Sequence, residues 1–237
     1  VANLGYADCR FVLPVYDGDT LTTTSTVIGL KQNSNGKTGT VYVRSTGTNQ
    51  NAEIVIDYVR WVMVRKGNLD APAPDVVVPD LPDRVDPASL AVDQVLNGGN
   101  FDPVLSGSNH FFSDYSVGEK IDHVDGVTIE EAEHMTATRL YQNTAKVHFN
   151  QFSEKDGRFG RRLMYGGHVI SLARAISFNG LANALSIAAI NGGRHVAPCF
   201  AGDTVFAWSE VLEVADTNNP TIGALRLRTI ATKDHPC

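Results

Sequence analysis

Apolar and polar residues alternate along 19–30 and 38–45, and both stretches are rich in valine and threonine. A period of two with β-branched residues predicts antiparallel strands, with 31–37, which holds Asn33, Asn35 and Gly36, as the turn between them. A third strand is expected over 53–65, where Ile54, Ile56, Tyr58, Trp61 and Met63 supply the bulk. From 67 to 109 the pattern lapses. Pro72, Pro74, Pro79, Pro82, Pro87 and Pro103 crowd this stretch, so it reads as a long linker lying along the surface. Tyr115–Lys120 opens a second patterned half. Thr128 and Glu131 have the spacing of a capping box and predict a helix to about Leu140. From about Gly167 to Leu185 the chain is apolar nearly all round (Val169, Ile170, Leu172, Ala173, Ala175, Ile176, Phe178), the mark of a buried helix. Strand patterns return over 194–213 and 222–231. A long buried helix followed by antiparallel strands predicts an α+β fold in which the sheet wraps round the helix.

The strand patterns are two copies of one unit. Arg10, Val12, Pro14, Gly18, Asp19 and Thr20 fall on Arg194, Val196, Pro198, Gly202, Asp203 and Thr204, an offset of 184 residues from Gly18 to Gly202. The same offset puts Gly39, Val41, Val43 and Arg44 on Gly223, Leu225, Leu227 and Arg228 without a gap. Internal repetition at a fixed shift implies repeated structure. It also carries an expectation about the ends. The first-copy counterpart of 140–173 would precede residue 1, and the second-copy counterpart of 54–65 would follow residue 237. The chain is therefore expected to hold the C-terminal half of the first repeat over 1–66, a Pro-rich linker over 67–111, and a second repeat over 112–237 that lacks its last strand.

Composition narrows the class. An apolar content of 43% and a charged content of 19% suit a globular chain with a real core. A net charge of −6 argues against sequence-independent nucleic-acid binding. Cys9, Cys199 and Cys237 are odd in number, far apart and without a CxxC, which points to reduced thiols in a cytoplasm. No run of about 18 apolar residues predicts a membrane span, and residue 1 does not open a signal-peptide pattern.

Candidate chemistry gathers in 140–173. His148 is a group able to give and take a proton near neutral pH. Asn143, five residues earlier, can orient a water or a carbonyl but cannot act as a base. Gly166 and Gly167 stand where the chain enters the apolar helix, so their amides and the helix dipole can meet a developing negative charge. Arg158, Arg161 and Arg162 offer cations for phosphates or a carboxylate, and Lys146 offers another. Together these are the parts of an acyl-thioester enzyme. Each has an ordinary alternative: a hydrogen-bonded histidine, a turn asparagine, close packing of glycines, a solvated basic loop. His168 reads as a helix cap, Cys199 as core packing, and Glu154 and Asp156 as polar loop residues, either of which can supply a carboxylate.

The frame Gln142-Asn143-Thr144-Ala145-Lys146-Val147-His148, with Tyr165-Gly166 at the helix start, resembles the motif of MaoC-type enoyl-CoA hydratases. The Pro-x-x-x-Gly-Asp-Thr strand start, found twice, is similar to that of hot-dog domains. Asn143 stands for the usual aspartate, Ala145-Lys146 for the usual Asn-Pro, and Tyr165 for the usual second histidine. These departures, and the start Val1-Ala2-Asn3-Leu4-Gly5-Tyr6-Ala7-Asp8-Cys9-Arg10, resemble the double-hot-dog mesaconyl-CoA (2-methylfumaryl-CoA) hydratases, also called β-methylmalyl-CoA dehydratases.

The resemblance implies a double hot dog and reversible hydration of 2-methylfumaryl-CoA to 3-methylmalyl-CoA. It implies no metal or redox cofactor, coenzyme A being part of the substrate, and a cytoplasmic homo-oligomer without nucleic-acid or membrane partners. In that reading His148 transfers protons, Asn143 orients water or thioester, and Gly166 lends an amide to the oxyanion. Arg161 or Arg162 binds the distal carboxylate. Lys146, Arg158 and Gly167 complete the substrate-binding set. A hot-dog thioesterase and a non-catalytic acyl-CoA binder stand as the competing readings.

Overall fold

The computed structural model describes residues 2–92 and 97–236; Cys237 and the linker positions 93–96 lie outside the described residues. The elements run β1 (Ala2–Phe11), β2 (Thr22–Gln32), β3 (Thr38–Thr48), β4 (Ile54–Arg65), α1 (Pro103–Ser106), β5 (Lys120–Asp122), β6 (Val127–Thr128), α2 (Glu131–Leu140), α3 (Lys146–Phe149), α4 (Gln151–Glu154), α5 (Gly166–Ile176), α6 (Phe178–Leu181), β7 (Ala189–Gly193), β8 (Thr204–Asp216) and β9 (Gly223–Lys233). They form two compact units. One is Val1–Leu96 with Ser186–His195 and Thr217–Asn219. The other is Asn97–Leu185 with Val196–Asp216 and Pro220–Cys237.

The first unit is a five-stranded antiparallel sheet in the order β2-β3-β4-β1-β7. The expected strands and turn are present, the turn closed by the Asn35 side chain, which accepts from the amides of Lys37 and Thr38. Val59 and Val55 are its most buried aliphatics. The proline-rich segment runs along this sheet at first: the Val77 amide donates to the Leu30 carbonyl, and the Val85 amide to Asn191 Oδ1 at 2.6 Å. From residue 97 the segment belongs to the second unit. Strands β1 and β7, which pair with each other, were not foreseen. Neither alternates cleanly, because β1 carries a break between Ala7 and Arg10 at Asp8, whose φ is 49°, and β7 ends in two glycines.

The second unit sets α5 against β8 and β9. Ile129, Met164, Ala173, Ile176, Val205 and Ala207 are the centre of its core. Burial of this kind stabilises by roughly 25 cal/mol per Å² of apolar surface removed from water.

The 184-residue repeat is visible atom by atom. In the first copy Ser25 faces Ser45 across β2–β3; in the second Ser209 faces Thr229 across β8–β9, and each pair shares a hydroxyl–hydroxyl bond of 2.8 Å. Register breaks between Val27 and Gly29, and again between Val211 and Glu213. Before each first strand, an aspartate closes the same turn: Tyr16 N donates to Asp19 Oδ2 and Phe200 N to Asp203 Oδ2, both at 2.8 Å.

Four expectations are corrected. Thr128 does not cap α2: it lies in β6, its hydroxyl is bonded to that of Thr204, and Glu130 takes the cap position without a side-chain bond. The core helix ends at Ile176 and not near Leu185. It is not covered all round, since Ile170 is exposed and only Ala173 and Ile176 are fully buried. The strand expected from Arg194 begins at Thr204.

The helix stops early because its far end is pinned. Tyr115 Oη donates to the Gly180 carbonyl at 2.7 Å. Fully buried His123 donates from Nδ1 to the Asn179 carbonyl at 2.6 Å and accepts from Ser209 Oγ at Nε2, at 2.8 Å. Gly180 has φ +100°, and a Cβ there would lie 2.5 Å from Ile121 Cγ2. Gly180→Ala is expected to cost about 1–3 kcal/mol from strain at that dihedral, read as a lowered urea midpoint; an unchanged midpoint would show that the pin does not hold the turn.

Candidate active site

The site is built where α2, α3 and the start of α5 meet. In α2, His134 and Thr138 are one turn apart and both buried, and Thr138 Oγ1 donates to the His134 carbonyl at 2.7 Å. The chain then turns through Tyr141 and Gln142, where φ is 50°. The Asn143 amide returns to the Thr138 carbonyl, and Asn143 Oδ1 accepts the Ala145 amide at 2.9 Å. Asn143 is thus an Asx turn just ahead of α3. Its carbonyl oxygen is engaged, which leaves the NH₂ group as the end able to act on a ligand.

His148 sits half-buried on α3. Its Nδ1 lies 3.0 Å from the Leu163 carbonyl, and the Leu163 amide donates back to the Val147 carbonyl at 2.9 Å. A carbonyl can only accept, so Nδ1 carries a proton, and in the neutral ring Nε2 keeps its lone pair. The imidazole meets the Tyr165 ring edge-on, with centroids 5.9 Å apart. Among the described residues no carboxylate pairs with the His148 ring. Glu154 is bonded to Ser153 Oγ, and Asp156 is exposed.

Tyr165 caps α5 without a side-chain hydrogen bond, so the first amides of that helix, Gly166 and Gly167, stand at its positive end. The Tyr165 ring folds back over Gly167: a Cβ on Gly167 would lie 2.7 Å from Tyr165 Cζ and 2.8 Å from its oxygen. That contact requires glycine at 167.

His134 was missed from sequence. It is 1% exposed, and its Nε2 accepts the Tyr165 amide at 3.2 Å. Burial pushes its pKa below the ordinary 6.5. Glu131 opposes this, while Arg162, His148 and His168 add to it. The only sequence signal was a histidine four residues before Thr138 on the inner face of a helix, easily read as core.

The cations divide. Arg162 is tied to α2: its guanidinium pairs with Glu131 and reaches Met135 Sδ at 2.8 Å. Arg161 is exposed and its Cζ lies over Phe200, 3.9 Å from the ring centre; Arg158 lies 5.0 Å over Phe159, and the two phenyl rings meet edge-on at 5.4 Å. Lys233, also unforeseen, stands over Phe200 at 5.9 Å and pairs with Asp203 at 3.2 Å. Lys146 is exposed at the first position of α3. The repeat exposes a difference here: Tyr16, the first-copy counterpart of Phe200, is 68% exposed, whereas Phe200 is 7% exposed. Cys199 is partly buried, its thiol pKa raised by burial, and its carbonyl accepts the Met164 amide at 2.8 Å. Cys9 is buried and its thiol is pushed up to about 11.

A cleft of about 430 Å³ lies between α2 and α5, lined by Ala137, Leu140, Tyr141 and His168 among others. His148 and Gly166 do not line it. Of the cleft's lining residues, Tyr141 has its ring 6.4 Å from that of Tyr165. His168, expected as a cap, lies within the first turn of α5, and its Nε2 is buried without a partner among the described residues. Among those residues, no group of three or more His, Cys, Asp or Glu side chains is arranged to hold a metal ion. No helix among them is long and apolar enough to cross a membrane.

Asn143→Ala removes the Asx turn and is expected to cost about 1 kcal/mol of stability, as loss of a capping side chain does. Asn143→Asp, which keeps the acceptor, should stay within about 0.5 kcal/mol; equal stability of all three proteins in urea would contradict the turn role.

Comparison with known proteins adds the following. No family model matches the chain. The chain is 65% identical over 238 residues to the β-methylmalyl-CoA dehydratase of Chloroflexus aurantiacus, covering 100% of this chain and 68% of that protein. It is 60% identical over 233 residues to the mesaconyl-CoA hydratase of Cereibacter sphaeroides, covering 98% of this chain and 67% of that protein. It spans about two thirds of each. Among solved structures, a MaoC domain protein dehydratase from Chloroflexus aurantiacus superposes with a TM-score of 0.96 at 65% identity, over 100% of this chain and 68% of that one. A conserved protein of Mycobacterium tuberculosis described as a double hotdog fold superposes with a TM-score of 0.70 at 26% identity, over 99% of this chain and 69% of that one.

Proposed function

The chain belongs to the MaoC-like, double-hot-dog family of β-methylmalyl-CoA dehydratases and mesaconyl-CoA hydratases, and from that membership we propose that it hydrates 2-methylfumaryl-CoA reversibly to 3-methylmalyl-CoA. The observation that supports this at the level of atoms is His148, whose proton is fixed on Nδ1 by the Leu163 carbonyl so that a bare Nε2 is left for chemistry. It stands against Tyr165, the residue immediately before the helix-start amide of Gly166.

In this reading Nε2 takes a proton from water as the oxygen adds to the β-carbon. The π electrons move through the α-carbon onto the thioester oxygen, and the Gly166 amide at the positive end of α5 stabilises the resulting enolate. The α-carbon then takes a proton from the imidazolium, which returns His148 to its starting state with one water added. One imidazole serves for both transfers, because among the described residues no carboxylate is paired with it and Asn143 cannot exchange protons. Asn143 offers its NH₂ group to the water or the thioester.

The anionic parts of the substrate fall to cations whose charge is not already matched within the protein. Arg162 is spent on Glu131. Arg161 and Arg158, spread on the Phe200 and Phe159 rings, and Lys146 are the groups we assign to the carboxylate and the coenzyme A phosphates. Gly167 contributes by admitting the Tyr165 ring. The reaction draws on the acidity of the thioester α-carbon and asks for no metal or redox cofactor. We place the protein in the cytoplasm as a homo-oligomer, in keeping with thiols that carry no disulfide among the described residues.

The test is one assay. With 2-methylfumaryl-CoA, the enoyl-thioester absorbance should fall with no release of free thiol. Thiol release would make the protein a thioesterase, and no change in either signal would make it a binder; each outcome overturns the proposal. His148→Ala should lower turnover by at least ~100-fold, and wild-type turnover in that variant would remove the assignment.

A further inference from the structure

The buried imidazole of His134 has no part in the chemistry above, yet the fold spends a hydrogen bond on it in the interior. Its neighbour in α2, Thr138, bonds back onto the His134 carbonyl, so the residue is held on the helix at its backbone. Its ring accepts the amide of Tyr165, for which no backbone carbonyl among the described residues serves as partner. Burying a polar ring costs free energy unless it is bonded, so an aliphatic side chain would fill this space more cheaply if filling were its only task. What the bond fixes is Tyr165. That residue carries the ring that lies across Gly167 and against His148, and its own carbonyl begins the peptide that ends in the Gly166 amide. The residue before it, Met164, is fixed by the Cys199 carbonyl.

We infer that His134 is a positioning residue, which clamps the Tyr165 peptide and so sets both the packing of His148 and the direction of the Gly166 amide. The inference rests on the hydratase reading for what is being positioned, and on the geometry alone for the clamp.

The clamp works only while the ring is neutral. An imidazolium donates at both nitrogens and cannot accept the Tyr165 amide. The groups facing His134 are Glu131 on its own helix, Arg162 from the loop, His148 on α3 and His168 on α5. Three of the four disfavour a proton on His134, as does burial. Its contribution is therefore fully present above the ordinary value of 6.5 and is lost as pH falls from there through the lowered folded value.

The experiment compares wild type, His134→Leu, which has no acceptor, and His134→Gln, whose side-chain oxygen can reach the place of Nε2. His134→Leu should lower kcat by ~10- to 100-fold with KM within ~3-fold, and His134→Gln should recover most of it. On the acid side, kcat/KM should fall more steeply in wild type than in His134→Gln, whose acceptor cannot be protonated. Wild-type kinetics in His134→Leu, or equal damage in both variants, would overturn the inference.

A second readout needs no activity. In protein labelled with ¹⁵N-tyrosine, one of seven amide signals, that of Tyr165, should follow the titration of His134 in wild type. A Tyr165 signal that ignores that titration would overturn the clamp, and this measurement decides the matter if His134→Leu does not fold. If the signal follows the titration but 2-methylfumaryl-CoA is untouched, the clamp stands and the hydratase reading alone falls.

Discussion

Three consecutive residues ahead of α5 carry the hydrogen bonds on which the site depends. The Leu163 carbonyl orients His148, the Met164 amide is held by the Cys199 carbonyl, and the Tyr165 amide is held by His134. Each bond comes from a different element: α3, the loop before β8, and α2. The start of the core helix is therefore fixed from three sides. This matters because a helix N-terminus stabilises charge only where its amides point, and an imidazole acts as a base only at the nitrogen that its partner leaves bare.

The repeat shows which features the two copies hold in common and which they do not. The two copies share their hairpin register, their bulge, their cross-strand hydroxyl pair and their aspartate-closed turn. They differ at the turn that precedes the hairpin. Phe200 is covered and carries Arg161 on its face, whereas Tyr16 at the matching position is exposed. A shared framework whose copies differ in side chains is the usual relation of fold to function.

Much of this was legible in the residues. Period-two patterns gave the strands, because half-buried sheets impose that period directly. The fixed-offset match gave the repeat. His148, Gly166 and Gly167, singled out as candidates by residue type and position, all meet Tyr165 in the structure. The failures have physical causes. Thr128 looked like a cap, but its hydroxyl found Thr204 across the sheet. The core helix looked longer because the pattern of apolar residues continues past Ile176, whereas the pin by Tyr115 and His123 is a long-range event. The pairing of Arg162 with Glu131, 31 residues away, could not be read from local spacing. His134 was invisible for the same reason: its partner is an amide 31 residues on, and no local spacing announces it.

The central claim is the tautomer of His148, and it can be read directly. In ¹⁵N-labelled protein near pH 8, with His148 assigned by its loss in His148→Gln, long-range ¹H–¹⁵N correlation should give a protonated, pyrrole-like Nδ1 and a bare, pyridine-like Nε2. A proton on Nε2, or the averaged shifts of a ring turning freely in solvent, would contradict the account.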